Sequence, residues 1–329
     1  MKLAPATLGL IAMAIALAAF PAFMPNPYVY DIVIRIVMNA VVVIGLNLLF
    51  GYTGQISLGH AAFYGMGAYS SAILTTHFGW PPLAALGAGA LGTTVLSLVI
   101  ARPILRLSGH HLAMATLSLG LIATIVFNNE SAWTGGSDGM TVPPFSVLGI
   151  TVDGEQGWYA LVAVLLWLAC WATVNLVNSP AGRALQAIRG SEIAARVAGI
   201  DTVSFKTRVF VLSAVIASVM GSLMAHYVAF LTPSAAGLAK SVEFLMMVVV
   251  GGTASVFGSV VGAALITLLP QFLSSLEGFE TLVFGLLLTA SMIFMRNGIV
   301  PALRDLLNRR RSVAVTTTTT TTASEGAAE

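Results

Sequence analysis

The polar side chains able to meet a solute are concentrated in two glycine-rich stretches of an otherwise apolar chain. The first, NLLFGYTGQISLGHAAFYGMGA at 47–68, sets Asn47, Thr53, Gln55, Ser57 and His60 among aliphatic and aromatic residues, with glycine at 51, 54, 59, 65 and 67. The second, SVEFLMMVVVGGTASVFGSVVGAA at 241–264, places Glu243 at the start of an apolar run that reaches Gly251 and Gly252. Covalent chemistry is a poor use of these groups. Ser57 and His60 lie three apart, one helical turn, but no third group orients them as nucleophilic catalysis requires. Cys170 stands alone in an apolar run and makes neither a disulfide nor a metal cluster. No Gly-rich phosphate loop ending in Lys-Ser/Thr occurs, so the chain is not expected to hydrolyse nucleotide. Hydrogen bonding to a passing solute is what remains.

Each stretch admits two readings. Gly51 and Gly54 accept backbone conformations that would break a helix, and irregular backbone at membrane depth is tolerated only inside protein or beside water. On that reading Asn47, Gly51, Gly54, Gln55, Ser57 and His60 line a translocation path. On the other, the glycines are close-packing positions and the polar groups bond between helices, His60 being a structural hydrogen-bonder. Glu243 is a functional carboxylate if it lies at membrane depth, or an interfacial group beside Lys240. Gly251, Gly252 and Gly258 loosely echo Gly51, Gly54 and Gly59, and paired glycine-interrupted segments point to duplicated transporter architectures.

A third segment, SPAGRALQAIRGSEIAARVAGI at 179–200, is polar and basic. Pro180 suits a first helical turn, Gly190 and Ser191 interrupt, and Glu192 opens a second short helix that Gly199 caps. Ala184, Leu185 and Ile188 share one face, with Arg183 and Arg189 at the ends. This is either a surface-lying amphipathic element or a compact docking element for a soluble partner.

The elements that must position these residues are membrane helices. Of 329 residues, 57% are hydrophobic and 9% charged, against roughly 25% charged in soluble domains. Spans of ~20 apolar residues are expected near 7–24, 31–50, 58–78, 82–101, 112–128, 157–177, 209–230, 254–275 and 280–296, with a shorter run at 242–251. The first is expected to be an uncleaved span ended by Pro21, Pro25 and Pro27. Basic residues gather at Arg102 and Arg106, at Arg183–Arg208, and at Arg296–Arg311, while 107–182 holds none. The positive-inside rule puts these clusters and both termini in the cytoplasm, provided 242–275 enters and returns. The expected fold is an all-α polytopic membrane protein of about ten membrane-embedded helices, some broken or re-entrant. It forms a single domain over 1–311, with a cytoplasmic loop at 178–207. The Thr-rich tail 312–329 lacks apolar periodicity and is expected to be disordered.

Five ordered segments resemble the permease subunits of branched-chain amino-acid ABC importers, of the second permease type. They are NLLFGYTGQISLGHAAFYGMGAY at 47–69, RLSGHHLAMATLSLG at 106–120, TGGSDGM at 134–140, 179–200, and SVEFLMMVVVGGTASVFGSVVGA at 241–263. The resemblance implies an importer of Leu, Ile and Val in the bacterial inner membrane. Its implied partners are a second homologous permease, two cytoplasmic ATPases and a periplasmic or lipid-anchored binding protein, all within membrane lipid and without nucleic acid. ATP and Mg would be bound by the ATPases, leaving no cofactor in this chain. The 179–200 loop would be the ATPase-coupling element, carried by Gly182, Arg183, Ala187, Arg189, Glu192, Ala194, Ala195 and Gly199. Two departures stand out. His110 and His111 replace an expected aromatic residue, and Ala254 replaces the usual glycine, which implies a tighter helix contact there. Related permeases carry urea or short amides, and an ion-coupled secondary transporter is the more distant alternative.

Overall fold

The computed structural model describes residues 5–273, apart from 24–25, 108, 148–149 and 153, together with positions 282, 285, 286 and 289. Beyond those positions, the expected 280–296 span and the 312–329 tail lie outside the described residues.

Helices dominate: α1 (Pro5–Phe23), α2 (Pro27–Thr53), α3 (His60–Thr76), α4 (Pro82–Ile104), α5 (His110–Asn129), α6 (Ser131–Thr134), α7 (Gly154–Asn178), α8 (Pro180–Gly190), α9 (Glu192–Val197), α10 (Thr202–Val228), α11 (Leu238–Gly251) and α12 (Val256–Leu273). Five of them, α2, α4, α5, α7 and α10, are long and apolar enough to cross a membrane. Pro21, expected to end α1, sits inside its last turn, and the helix runs on to Phe23. That first helix packs along α7, where the Tyr159 hydroxyl donates to the Leu17 carbonyl at 2.7 Å.

Two helices form the centre. Over its most apolar window α2 is 83% buried and α10 is 67% buried, whereas α4, α5 and α7 are 22–28% buried and present their outer faces. α3 packs against α10 through reciprocal glycines. A Cβ built on Gly67 would stand 1.9 Å from the Ser218 carbonyl oxygen, and one on Gly221 would stand 2.0 Å from that of Tyr64. The backbones therefore touch directly, the small-residue mode of helix association in lipid.

α3 and α11 are too short for a ~30 Å hydrocarbon layer. At ~1.5 Å per residue, the 17 residues of α3 and the 14 of α11 reach only about 25 and 21 Å. The expected 58–78 span is thus a shorter helix preceded by an extended stretch. α3 starts in the bundle interior, where Gly59 abuts Gly120 midway along α5 and His60 meets Ser213 midway along α10. At one end of the bundle lie α8, α9, the end of α2 and the α11–α12 turn. The opposite end carries small antiparallel pairs absent from the sequence reading. β1 (Met140–Thr141) pairs with β4 (Phe230–Leu231), with Met140 opposite Leu231, and β2 (Ser146–Val147) pairs with β3 (Ile150–Thr151).

Candidate functional site

α2 ends by local chemistry. Gly54 adopts a left-handed conformation (φ 74°) and its N–H returns to the Phe50 carbonyl at 3.1 Å. Residues 55–59 then run without helical bonding, back into the bundle. Their neighbourhood is satisfied by side chains from other helices: the Leu58 N–H donates to Thr116 Oγ1 of α5 at 3.1 Å, and the Ala61 N–H to Ser241 Oγ of α11 at 3.0 Å. Gln55, Ser57 and Gly59 are buried and Ile56 is 38% exposed, so protein encloses most of this irregular backbone, as membrane depth demands. Three polar atoms of this stretch, Gln55 Nε2, Ser57 Oγ and His60 Nδ1, are buried without a hydrogen-bond partner among the described residues. His60 itself is fully buried, with Nε2 3.0 Å from Ser213 Oγ.

The second interruption, the turn between α11 and α12, leans on the first. Asn47, 1% exposed, accepts the Ala254 N–H at 2.9 Å and donates to the Ser255 carbonyl at 3.0 Å and to Ser259 Oγ at 2.8 Å. The Tyr52 hydroxyl donates to the Ala254 carbonyl at 2.8 Å. Gly51 makes the approach possible, since a Cβ there would stand 2.4 Å from the Ala254 nitrogen. Gly251 likewise lets α11 meet α12, at 2.0 Å from its Cβ position to the Gly258 carbonyl oxygen, and Gly252 (φ 115°) opens the turn. Ala254 lies in this turn at φ 61°, where a side chain is disfavoured. The expected tighter helix contact is therefore corrected: Ala254 lies in a turn between helices, at a left-handed backbone position that favours glycine.

Arg189 joins these interruptions to the polar loop. From the last turn of α8 its Nη1 donates to the Gly51 carbonyl, and its Nη2 to Thr253 Oγ1 at 3.2 Å. One guanidinium thus holds α8, the end of α2 and the α11–α12 turn.

The loop is a rigid unit. Ser179 caps α8 by accepting the Gly182 N–H at 3.3 Å, and Ser191 caps α9 by accepting the Ala194 N–H at 3.3 Å. Gly199 closes α9 in the left-handed region (φ 83°), while the Ile200 N–H reaches back to the Ala195 carbonyl at 3.0 Å. Gly182, Leu185, Ile188 and Ala195 are buried, and Arg183, Ala187 and Ala194 are exposed. The Glu192 carboxylate receives Lys206 Nζ and Arg196 Nη2, both at 2.5 Å, which pins α9 to the start of α10. Burial pushes this carboxyl upward, but the hydrogen bonds and charges of Lys206 and Arg196 outweigh it and hold it below the ordinary carboxylate value.

Of the residues singled out in the sequence, Asn47, Gly51, Gly54, Gly251 and Gly252 converge beside Arg189, and Gln55, Ser57 and His60 follow along the extended stretch. Glu243 stands apart, in the second turn of α11, paired with Lys240. His110 and His111 are exposed at the start of α5. Sequence reasoning missed Ile193 and Val197, which are 76% and 85% exposed on one face of α9. Their i, i+4 spacing opposite buried Ala195 was the available signal. Among the described residues no group of three His, Cys, Asp or Glu side chains is placed to hold a metal.

A helical bundle with interrupted helices wrapped around buried polar backbone, carrying a rigid two-helix loop at one end, is a multi-pass membrane permease. The chain belongs to the branched-chain amino acid transport system / permease component family, whose profile matches residues 28–296. It is 30% identical to the high-affinity branched-chain amino acid transport system permease protein LivM of Escherichia coli K12, over 93% of this chain and 77% of that protein. It is 23% identical to LivH, a permease protein of the same description from Escherichia coli K12, over 79% of this chain and 90% of that one. The fructose import permease protein FrcC of Rhizobium meliloti is 22% identical, over 77% of this chain and 72% of that one. No solved structure matches the chain.

Proposed function

We propose that this chain is the membrane-spanning permease of an ABC importer that brings leucine, isoleucine and valine across the bacterial inner membrane. A second homologous permease completes the pathway, two ATPases supply ATP hydrolysis with their own Mg, and a periplasmic or lipid-anchored binding protein delivers the substrate. The observation that carries the reading is the Arg189 link, which fastens the capped α8–α9 loop to both helix interruptions.

The basic residues Arg102, Arg106, Arg183, Arg189, Arg196, Lys206 and Arg208 share the α8–α9 end, which the positive-inside rule assigns to the cytoplasm. Glu130, Asp138 and Glu155 then face outward with the strand pairs. With 280–296 as a tenth embedded helix, both termini are cytoplasmic. Ile193 and Val197 offer an apolar ridge that fills a groove on an ATPase, and Arg183, Ala187 and Ala194 flank it. When the ATPases close, the α8–α9 unit moves as one body because Glu192 locks α9 to α10. Arg189 carries that motion to the end of α2 and to the α11–α12 turn, shifting the buried stretch 55–59. Gln55, Ser57 and His60, each with one buried polar atom left without a partner among the described residues, meet the solute or its water there.

Co-expression with the cognate permease, ATPases and binding protein in cells lacking their own branched-chain uptake tests the reading. Leucine accumulation that needs every component supports it. Accumulation of urea or a short amide instead reassigns the substrate, and uptake without the ATPases refutes the ABC reading.

A further inference from the structure

Away from the α8–α9 end, the described bundle helices hold five charged side chains: Glu155 in the first turn of α7, Asp31 and Arg35 in α2, and Lys240 and Glu243 in α11. The last four form two ion pairs. Arg35 Nε donates to both Asp31 oxygens at 3.1 and 3.0 Å, and Lys240 Nζ to both Glu243 oxygens at 3.0 and 3.1 Å. The Tyr227 hydroxyl also donates to Asp31 at 2.8 Å. Charges at membrane depth are costly to insert and are therefore kept for use. α11 reaches the loop end at Gly251, which places Glu243 ~12 Å and Lys240 ~16 Å above that turn, near the middle of the bundle.

A cavity of about 180 Å³ opens beside Lys240, between α3, α10 and α11 and under β4. Its volume is that of about six liquid waters, room for one amino acid and too little for a peptide. Met224, Val228, Leu231 and Ala235 give it an apolar side, Tyr64 and Thr232 add hydroxyls, and Lys240 is the one charged residue of the lining, bonded to Glu243 beyond it. Tyr64, on the α3 side of the cavity, packs its ring 5.6 Å from Phe244. The close α3–α10 contact at Gly221 shapes the floor.

We infer that this cavity is a substrate site for a single aliphatic amino acid, whose carboxylate is taken by Lys240 and whose ammonium is taken by Glu243. The inference rests on the transport reading above. A zwitterion exchanges one intramolecular ion pair for two intermolecular ones, so the site stays neutral when empty and when filled, and no net charge enters the membrane interior. The aliphatic side chain lies against Met224, Val228 and Leu231. An uncharged solute such as urea offers nothing to open the Lys240–Glu243 pair, which makes the pair a filter for zwitterions.

The test uses the complete importer in proteoliposomes. In a chain carrying C170S and A235C, the rate of thiol labelling is followed during ATP-driven turnover with leucine-loaded binding protein. Labelling is expected to slow about tenfold with leucine and to be unchanged by urea. K240Q in the same background abolishes that protection and lowers leucine uptake at least about tenfold, while loaded binding protein still stimulates ATP hydrolysis. K240R restores protection. Where K240Q fails to assemble, the protection measured with Lys240 intact decides. Labelling indifferent to leucine, or K240Q with undiminished uptake, overturns the site while leaving the transport reading standing. Absence of leucine uptake by the unsubstituted importer overturns both.

Discussion

Replacing Arg189 by alanine separates the α8–α9 loop from the two helix interruptions without touching the exposed Ile193–Val197 ridge. The bond to the Gly51 carbonyl is part-buried and has a charged donor, a class contributing ~1.5–3 kcal/mol. The bond to Thr253 is exposed and adds at most ~1 kcal/mol. The link therefore holds the loop to the two interruptions by about 2–4 kcal/mol, and each ~1.4 kcal/mol is a factor of ten. The expected result is an importer that hydrolyses ATP at close to its normal rate while leucine uptake falls at least about tenfold. Arg189→Lys places one compact charge where a fork spanned two acceptors, so its defect is intermediate. Thr253→Val removes only the exposed bond and is expected to cost less than about fivefold. The assay is phosphate release and radiolabelled leucine uptake measured on the same proteoliposomes. Unchanged ATP consumed per leucine in Arg189→Ala, in an assembled importer, refutes the coupling argument.

Further substitutions probe the same geometry. Gly51→Ala forces a Cβ to within 2.0 Å of Asn47 Oδ1 and 2.4 Å of the Ala254 nitrogen; overpacking of ~1–3 kcal/mol should lower both the yield and the thermal stability of the detergent-extracted importer. Ala254→Gly relieves a side chain held at φ 61°, a strain of about 1 kcal/mol, and should raise the unfolding temperature. Because Glu192 is held below the ordinary carboxylate value of 4.5, its ion-pair node stabilises the loop above that value and loses the contribution as pH falls through the depressed one. Protease protection of 178–207 should accordingly persist from pH 7 to about 5 and fail only in stronger acid. Ile193→Asp puts a charge on a residue that is 76% exposed and apolar; it should abolish co-purification of the ATPases while leaving the isolated permease folded.

Local chemistry was legible in the sequence. The caps at Ser179, Ser191 and Gly199 depend on neighbours within a few residues, so the two-helix loop could be read directly. The break after Gly51 and Gly54 was visible because glycine marks left-handed backbone. Its environment was not, because the partners of Asn47 lie at Ala254, Ser255 and Ser259, more than two hundred residues away. Asn47 was legible as a polar group in an apolar helix, open to a pathway or an interhelical reading, but its bonds to the opposing turn were not. Arg189 read as an end residue of the coupling loop, and its bonds to Gly51 and Thr253 were hidden for the same reason. Hydropathy placed the short run at 242–251, but α11 begins at Leu238 because Lys240 and Glu243 neutralise each other, a pairing that a hydropathy sum scores as two interruptions. The β1–β4 contact joins two-residue strands, too short to show alternation.

ATP-dependent uptake of radiolabelled leucine, by proteoliposomes holding this chain with its cognate permease and ATPases and with binding protein outside, tests the central claim most directly. The account predicts uptake that requires ATP and the binding protein and survives collapse of every ion gradient. Leucine uptake driven by an ion gradient with the ATPases left out would contradict it.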